Sequence, residues 1–510
     1  MQEKGLTGYP KAGFWFGLHQ EGKALDPRHE IMLETLKLPM GPDVHMHRAT
    51  IDHYLVQRLP FYGVGYSDHT PLEAFHYDET IRQAALIFKR KGEMQTVSAR
   101  LVVDASGHAG ALARQFGLTA DPDELHTHTR SLFGHFRDVN YLEDRYPYNP
   151  AFRLSRDGVT IHHCFRGGWL WVIRFDNGET SIGLMLDPRI YPMNKDHSPE
   201  EELQQFIDRY PDVQAQLRDM QPTRPLVRTG RVQFHTTSML GPGFILTPHA
   251  AGFIEPIFST GLALTAAFVA RFVPYVKAAL RENDFDTQRF RPLEETFYRE
   301  LHHIDLLVSG TLASFRDYDV MKQFLRFWAS SNMLHFLIMI FGRMQDPKGA
   351  NLLLGAGAES WRDRLRQMHT LVMDPSLDDA TAAAQLKALN DELPDAFNII
   401  NTELRSGKAC LFTLTRPNGD FIRFCYELFN HIPEVKADRD IGRFYEFITR
   451  AQMAEVNMRT QYALGKWTGS PYARRIDNIH ALTNSKDYPG NKDFFAPFSD
   501  FWNGRFLEKV

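Results

Sequence analysis

The residues best suited to chemistry lie in the stretch FILTPHAAGFIEPIFSTGLALTAAFVA, residues 244–270. Its pattern predicts a buried strand, a loop of small residues with a proline, and a helix that begins at Ser259-Thr260-Gly261. The first turn of a helix presents unpaired backbone N–H groups and the positive end of the helix dipole. Gly261 carries no side chain that would keep a ligand away. The stretch is suited to hold an anion or the electron-rich edge of a planar cofactor, although a strand-to-helix turn that only packs has the same pattern.

Three motifs in chain order resemble those of the flavin-dependent halogenases, the tryptophan halogenase-like members of the FAD-dependent aromatic monooxygenase superfamily. VVDASG, which ends at Gly107, is similar to the second flavin motif of that family. GGWLWVIR, with Trp169 and Trp171, is similar to its WxWxIP signature, and EPIFSTG is similar to its DPxxSTG or EPxxSTG segment. The resemblance that these motifs indicate covers about the first 310 residues, which is the usual size of such a domain pair.

The resemblance implies roles for particular residues. In the family a lysine lies between flavin and substrate and holds hypohalous acid. Lys11, just before the aromatic strand GFWFG, is the candidate for this catalytic residue, with a solvated lysine as the alternative. The backbone amides of Thr260 and Gly261 would hold the halide. The residues expected at FAD are Arg48, Asp104, Ser106, Gly107, His249, Gly261 and Leu262, and those expected in the substrate pocket are Trp169, Trp171 and Phe258.

Ordinary structural roles are open for several of these residues. Arg48 is expected at a helix start and could form only a surface ion pair. Asp104 could only cap a helix, and His249 could pack within its loop. Trp169 and Trp171 point to the same face of a strand because they are two residues apart, which also suits a pair of core tryptophans.

Four features depart from the family pattern. No GxGxxG sequence precedes Arg48, so the first βαβ unit of an FAD-binding domain is expected to be absent, through truncation or loss. Thr247-Pro248-His249 stands where the family has Gly-Asp, and His249 could still donate to a ribityl hydroxyl or a phosphate, with packing within its loop as the alternative. Phe258 stands where tryptophan halogenases carry a catalytic glutamate, as in the phenol and pyrrole halogenases. The WxWxIP signature ends here in Ile173-Arg174.

The predicted fold is α/β (α+β), with a Rossmann-like FAD/NAD(P)-binding domain, an interleaved antiparallel substrate-domain sheet and a helical C-terminal region. Turn signals such as Asp176-Asn177-Gly178 predict the antiparallel sheet. The predicted boundaries are 1–125 for the remainder of the FAD-binding domain, 126–235 for the sheet, 236–275 for the last FAD-domain strand and helix, and 276–510 for the helical region.

Three further patterns concern the elements around these motifs. QAALIFKRKG and MQTVSARLVVDAS are predicted to form two strands joined by a turn. The run His162-His163-Cys164 has no metal-ligand spacing and is expected partly in the core and partly at the surface. MLHFLIMIF, in the helical region, could line an apolar pocket or form plain core.

The composition, 43% hydrophobic and 24% charged over 510 residues, is that of a globular protein. A net charge of −4 gives no reason to expect nucleic acid or an anionic membrane as a partner. Cys164, Cys410 and Cys425 form no CxxC pair, so neither a disulfide framework nor a metal site is predicted. The uncharged run between Glu255 and Arg271 is too short to span a bilayer. The N-terminus has no apolar signal core, which favours the cytoplasm.

The resemblance implies an FAD-dependent halogenase-like oxidoreductase. It would use FADH2 from a separate flavin reductase, O2, and chloride or bromide to halogenate a small electron-rich aromatic substrate, free or tethered to a carrier protein. An aromatic hydroxylase of the same fold is an alternative, and it would need no halide. A non-catalytic or truncated relative that no longer binds flavin is a second alternative, favoured by the missing GxGxxG.

Overall fold

The computed structural model describes residues 6–11, 13–34, 43–146, 149, 152, 155–340 and 354–393. The strands in these ranges are β1 (Gly8–Lys11), β2 (Gly13–Leu18), β3 (Glu30–Glu34), β4 (Asp43–Met46), β5 (Leu72–Asp78), β6 (Gln83–Arg90), β7 (Glu93–Ala99), β8 (Val102–Asp104), β9 (Arg130–Arg137), β10 (Thr160–Phe165), β11 (Gly168–Arg174), β12 (Thr180–Leu186), β13 (Gln221–Pro222), β14 (Val227–Arg231), β15 (Phe234–His235), β16 (Leu240–Gly241), β17 (Phe244–Leu246) and β18 (Gly252–Phe253). The α-helices are α1 (Arg48–Arg58), α2 (Ala111–Gln115), α3 (Leu142–Arg145), α4 (Pro199–Ile207), α5 (Pro211–Leu217), α6 (Pro248–Ala251), α7 (Thr260–Glu282), α8 (Arg291–Ser314), α9 (Tyr318–Ile340), α10 (Glu359–Met373) and α11 (Asp379–Asp391). This mixture of sheets and helices confirms the predicted α/β (α+β) class.

The largest sheet has the strand order β13-β9-β12-β11-β10-β2-β3, with β14 also paired to β9. Its pairs are antiparallel except for β10 and β2, which run parallel. Gly167 and Gly178 have φ of 84° and 80° in the turns before and after β11, a conformation that favours glycine. The sheet takes in β2 and β3, which lie before the predicted range 126–235, because strand pairing does not follow chain order. The domain boundaries themselves stay a prediction.

Strand β2 divides its aromatic side chains between the two faces of this sheet. Phe14 and Phe16 are buried in one hydrophobic core, whereas Trp15 is buried in the other. This alternation follows from the two-residue period of a strand. The core around Trp15 also includes Phe206 of α4 and Val213 of α5, so these two helices cover that face.

The run His162-His163-Cys164 lies on β10 and is buried throughout. The expectation that part of it reaches the surface was therefore wrong. The reason is that β10 is an inner strand of the sheet, and each face of that sheet is covered by a hydrophobic core.

A second, smaller sheet has the order β16-β17-β8. Strands β17 and β8 run parallel with Leu246 opposite Asp104, so their carboxyl ends meet. The single strand predicted over MQTVSARLVVDAS was wrong: β7 ends at Ala99 and pairs with β6, and β8 begins at Val102 and pairs with β17. The predicted strand is interrupted between Ala99 and Val102 because the residues before and after this point pair with different sheets.

Helix α7 begins at Thr260, as the sequence predicts, directly after Ser259, whose φ is 54°. Within the described ranges, α7 is the one helix that is long and apolar enough to cross a membrane by length and composition. Helix α7 packs against α8, and buried Arg271 of α7 forms an ion pair with buried Glu300 of α8. The segment MLHFLIMIF begins within α9, and most of its side chains lie outside the described residues.

Candidate active site

The turn after β8 holds Asp104 and Ser106 through backbone hydrogen bonds. The Asp104 carboxylate accepts from the N–H groups of Ser106, at 2.8 Å, and Leu112, at 2.9 Å. The Ser106 hydroxyl accepts from the N–H of Ala111 at 2.9 Å. Asp104 thus joins the end of β8 to the start of α2, as a helix-capping aspartate does. Gly107 follows with φ of 63°, which only glycine adopts at no cost.

His249, on α6, faces this turn and the start of α7. Its Nδ1 lies 3.0 Å from the Thr265 hydroxyl, and that hydroxyl donates to the carbonyl of Gly261 at 3.0 Å. Because the hydroxyl has one proton to give, Nδ1 of a neutral His249 must be the donor, and Nε2 is left as an acceptor. Burial, followed by the charge of Arg48, holds the pKa of His249 below its ordinary value, which favours the neutral ring.

The close approach of His249 to α7 requires glycine at position 261. A Cβ atom there would lie 2.8 Å from Nε2 of His249, closer than van der Waals contact allows. In this arrangement Nε2 of His249 is suited to accept a hydrogen bond from a ligand hydroxyl, whereas the sequence predicts that this residue donates one.

A small cavity lies at the beginning of α7. It has a volume of about 10 Å³, and Thr260, Gly261, His249, Gly252 and Leu264 are among the residues that line it. A volume of this order holds one water-sized species. Thr260 is buried in the first turn of a 23-residue helix, so the positive end of the helix dipole faces this cavity.

Arg48 is the first residue of α1, as predicted, and forms an ion pair with Asp52 at 2.8 Å. Its side chain is 62% exposed, so the pair by itself contributes little stability. The same guanidinium lies near enough to His249 to lower the pKa of that imidazole. Arg48 is therefore placed on the same side of the molecule as the turn at Gly107 and the start of α7. Leu262, also predicted to contact cofactor, is exposed on the first turn of α7.

An aromatic cluster lies on the other side of the loop that precedes α7. Its members are Phe14, Phe16, His162, Trp169, Phe258 and Trp328. Phe258 stacks on Trp328 with ring centroids 4.5 Å apart and planes 15° apart. Trp328 meets the edge of Phe14 at 5.3 Å. Through Phe258, the loop of residues 254–259 therefore packs against the aromatic cluster on one face of the large sheet.

His162 lies between two rings of this cluster. It stacks on Phe16 at 4.4 Å and on Trp169 at 5.1 Å. Burial lowers the pKa of His162 to about 3, so the ring is neutral at physiological pH. A neutral imidazole in this position extends the flat apolar wall rather than adding a charge to it.

Lys11, the predicted catalytic residue, ends β1 and is buried, with 7% of its surface exposed. Its Nζ lies 3.8 Å from the centroid of the Phe14 ring, within the range of a cation–π interaction. Its charge also contributes, after burial, to the low pKa of His162. The structure therefore brings Lys11 to the aromatic cluster, although 151 or more positions separate it from all members but Phe14 and Phe16.

Glu255 connects the loop before α7 to the large sheet. Its carboxylate accepts from Nε1 of Trp169 and from the N–H of Ile257, each at 2.6 Å. Burial raises the pKa of Glu255 to about 7. Trp171 lies on the same strand face as Trp169, as predicted, with ring centroids 5.6 Å apart, and its Nε1 donates to Ser181 at 3.1 Å.

The sequence profile of the tryptophan halogenase family matches residues 45–309. This chain belongs to that family. The halogenase PrnC, which acts on monodechloroaminopyrrolnitrin in Pseudomonas fluorescens, is 35% identical over 330 residues, 64% of this chain and 57% of PrnC. The tetracycline 7-halogenase of Kitasatospora aureofaciens is 35% identical over 336 residues, 64% of this chain and 59% of that enzyme. The chain thus spans less than two thirds of the length of these two relatives.

The family fold is also found among solved structures. The halogenase PltM, solved with phloroglucinol and FAD, superimposes with a TM-score of 0.70 at 24% identity, over 77% of this chain and 82% of PltM. The matched range 45–309 contains every predicted cofactor and halide residue. Lys11 lies before that range and Trp328 lies after it.

The structure groups the predicted residues of this family member into two sets. Asp104, Ser106, Gly107, His249 and Gly261 surround the ends of β8 and β17, with Arg48 nearby. The second set, around the aromatic cluster, contains Lys11, Trp169, Trp171 and Phe258. The sequence interpretation missed Trp328 and His162, because a tryptophan in an apolar helix and a histidine in an apolar strand both have the pattern of ordinary core residues.

Proposed function

We propose that this protein is an FAD-dependent halogenase that transfers an oxidised halogen to an electron-rich aromatic substrate. The observation that carries the proposal is the arrangement of two neighbouring sites. A cavity of about 10 Å³ at the N-terminus of α7 lies beside the loop of residues 254–259, and that loop reaches the aromatic cluster, whose member Phe14 contacts buried Lys11. The first site suits a small anion and the second suits a flat ring.

The residues at the ends of β8 and β17 fit the flavin that the family implies. Gly107 and Gly261 present backbone without side chains, His249 offers an acceptor nitrogen to a ribityl hydroxyl, and Arg48 offers a guanidinium to the phosphates. Ser106, Asp104 and Leu262 complete the proposed contact surface. Reduced FAD together with O2 supplies the oxidising power that converts halide to hypohalous acid.

Thr260 and Gly261 are proposed to hold the halide. Their N–H groups belong to the first turn of α7, where no carbonyl of the same helix accepts from them. The helix dipole favours an anion there. A halide is a single-atom anion, and the cavity of about 10 Å³ marks room for one small species at this turn.

Lys11 is proposed to hold hypohalous acid and direct it toward the substrate ring. Its ammonium group can donate a hydrogen bond to the oxidant, and its burial beside Phe14 excludes water from that contact. Phe258 occupies the position of the glutamate found in tryptophan halogenases, so no carboxylate is proposed to assist Lys11 there. Trp169, Trp171 and Phe258 are proposed to line the substrate pocket.

The proposed partners follow from the chemistry. FADH2 must come from a separate flavin reductase, and both enzymes would act in the cytoplasm. The substrate is proposed to be a small aromatic compound, free or carrier-bound. A carrier-bound substrate has precedent in a relative: a chlorinase of 1H-pyrrole-2-carbonyl-[peptidyl-carrier protein] from Pseudomonas fluorescens is 27% identical over 204 residues, 39% of this chain and 42% of that enzyme.

A flavin titration followed by a halide test examines the proposal. FAD is titrated into the purified chain while flavin fluorescence is followed, and saturable quenching is expected. The chain is then given a flavin reductase, NADH, O2 and phloroglucinol as a probe substrate, with and without bromide. Halogenated product that requires halide supports the proposal. Hydroxylated product without halide would point to an aromatic hydroxylase, and absence of flavin binding would point to the non-catalytic alternative.

A further inference from the structure

Three side chains outside the candidate active site converge at one end of the large sheet. They are His47, His135 and Glu179, and their nearest nitrogen and oxygen atoms all lie within 4.8 Å of one another. Nε2 of His47 lies 3.8 Å from Oε2 of Glu179. We refer to these three residues as the histidine–glutamate cluster.

Three separate elements supply the cluster. His47 directly precedes α1, His135 lies on β9, and Glu179 directly precedes β12. The register of the β9–β12 pair places His135 opposite Ser181, and Glu179 lies on the same face as Ser181 because the two are two residues apart. The spacing along the chain gives no sign of the cluster, since 88 and 44 residues separate its members.

The cluster has the spacing of ligands around a cation rather than that of a hydrogen-bonded group. The His47–Glu179 distance of 3.8 Å is too long for a hydrogen bond. Nε2 is the His47 nitrogen that faces Glu179, and within the described part of the chain the other ring nitrogen, buried Nδ1, has no hydrogen-bond partner. Zinc–ligand bonds are about 2 Å long, so a cation between two such atoms would fill this gap after a small side-chain rotation.

The surroundings hold the cluster in place. Phe175 packs edge-on against His47 at 5.2 Å and against His135 at 5.9 Å. Nδ2 of Asn177 donates to Glu179 at 2.9 Å. The amide donates to Oε2, the same oxygen that lies 3.8 Å from His47, so it orients the carboxylate while the second lone pair of that oxygen stays available.

We propose that His47, His135 and Glu179 bind a borderline divalent cation such as Zn²⁺. Two imidazole nitrogens and one carboxylate oxygen form a donor set that suits zinc and neighbouring first-row metals, and does not suit Mg²⁺ or Ca²⁺, which prefer oxygen ligands. The cation joins the start of α1 to β9 and β12. Because Arg48 is the next residue after His47, metal binding holds the guanidinium proposed for the flavin phosphates.

Cobalt titration of the full chain tests the site. The chain is stripped of metal with a chelator and titrated with Co²⁺, whose visible absorption reports protein ligands. One equivalent of Co²⁺ is expected to bind, and Zn²⁺ is expected to displace it, as the stability order of these metals requires. Absence of a saturable visible band in the natural chain would overturn the proposal.

Two double variants make the test specific. In His135→Asn/Glu179→Gln the affinity for Co²⁺ is expected to fall at least about tenfold. In the control, His76→Asn/Glu73→Gln, one exposed histidine and one exposed glutamate are removed from β5, and the affinity is expected to stay unchanged. Equal affinity in the two variants would overturn the proposal, because the binding would then come from scattered histidines.

A third variant decides the matter if the first double variant fails to fold. His135→Cys keeps a zinc-type ligand at the same position and, in the Co²⁺-loaded chain, is expected to add the intense near-ultraviolet charge-transfer band of a cobalt–thiolate bond. Co²⁺ bound to folded His135→Cys without this band would contradict a role for residue 135 as a ligand. Circular dichroism of the metal-free variants shows which of them are folded.

Discussion

At the scale of single residues, the candidate active site combines a buried cation with buried rings. Lys11 lies over Phe14, and Phe14 contacts Trp328, so the ammonium group faces an aromatic wall. Stacked between Phe16 and Trp169, neutral His162 continues that wall. An oxidant held by Lys11 would therefore meet an aromatic substrate in a space with little water, which is what selective halogenation requires.

Replacing Lys11 separates its proposed role from flavin chemistry. Lys11→Ala is expected to lower the rate of product formation by at least about 100-fold, while the oxidation of FADH2 by O2 continues. Lys23→Ala, which removes an exposed lysine of the same segment, is the control and should leave the rate unchanged. Product and FADH2 consumption are measured together, and undiminished halogenation by Lys11→Ala would contradict the proposed role.

Adding one carbon at Gly261 should disturb the site through His249. The new Cβ would lie 2.8 Å from Nε2, so the imidazole must move. We expect Gly261→Ala to destabilise the fold by about 1–3 kcal/mol, even though alanine ordinarily favours a helix. The thermal midpoint is measured beside that of Gly230→Ala, where a Cβ meets no atom within 4 Å. Equal thermal midpoints in the two variants would show that the imidazole of His249 moves aside without loss of stability.

Glu255 should make stability depend on pH. Its pKa is about 7 in the folded chain against 4.5 for an unperturbed glutamate, because it is fully buried. Between these two pH values the folded state therefore binds more protons than the unfolded state. The stabilisation that this group contributes is fully present below pH 4.5 and is lost as the pH rises through about 7. This pKa difference corresponds to a contribution of about 3 kcal/mol to the free energy of unfolding.

Glu255→Gln tests this dependence, because the amide oxygen can still accept from Trp169 but cannot ionise. The difference in thermal midpoint between the natural chain and this variant, measured from pH 5 to pH 7, isolates the one group from the buried histidines. The natural chain should lose stability relative to the variant as the pH rises. A constant difference would mean that Glu255 stays ionised when folded.

At the scale of elements, α7 places its first turn beside the small cavity while its remaining length packs against α8. Arg271 in the middle of α7 donates through two nitrogens to Glu300 of α8, at 2.8 and 2.7 Å, and both residues are buried. Removing one partner of a buried pair leaves a charge without compensation. This pair therefore holds α7 against α8, and with it the position of Thr260.

Glu300→Gln is expected to destabilise the chain by about 3–5 kcal/mol. Asp363→Asn, which breaks the exposed pair of Asp363 with Arg366 on α10, is the control and should cost about 0.5 kcal/mol or less. Thermal midpoints of both variants are compared with that of the natural chain. Comparable losses in the two would show that burial does not set the strength of the α7–α8 pair.

At the scale of the whole molecule, the proposed flavin surface is assembled from α1, the turn after β8 and the first turn of α7. FAD that bridges these elements should stabilise the folded chain by mass action, by about 2.7 kcal/mol at 100 times its dissociation constant. Riboflavin, which lacks the phosphates proposed to meet Arg48, should stabilise it less. Thermal midpoints with each ligand are the measurement, and equal shifts would remove the phosphate contact from the proposal.

Much of this architecture was predictable from local sequence. The start of α7 followed from a small-residue loop and a helical apolar pattern, and the two faces of β2 followed from its alternation. The break between β7 and β8 was not predictable, because the apolar pattern continues across it while the hydrogen-bond partners change. Burial of the whole run His162-His163-Cys164 was also not predictable, because it depends on other elements that cover both faces of β10.

The sequence by itself determined the family and the order of the three motifs, and it predicted which residues bind an anion, a flavin or a ring. These are properties of short segments, where spacing and side-chain type carry the information. Only the tertiary structure brought Trp328 to Phe14, which Lys11 contacts, set the acceptor nitrogen of His249 and joined His47, His135 and Glu179. Distances between segments depend on strand register and on how helices close over a sheet, and no local pattern specifies them.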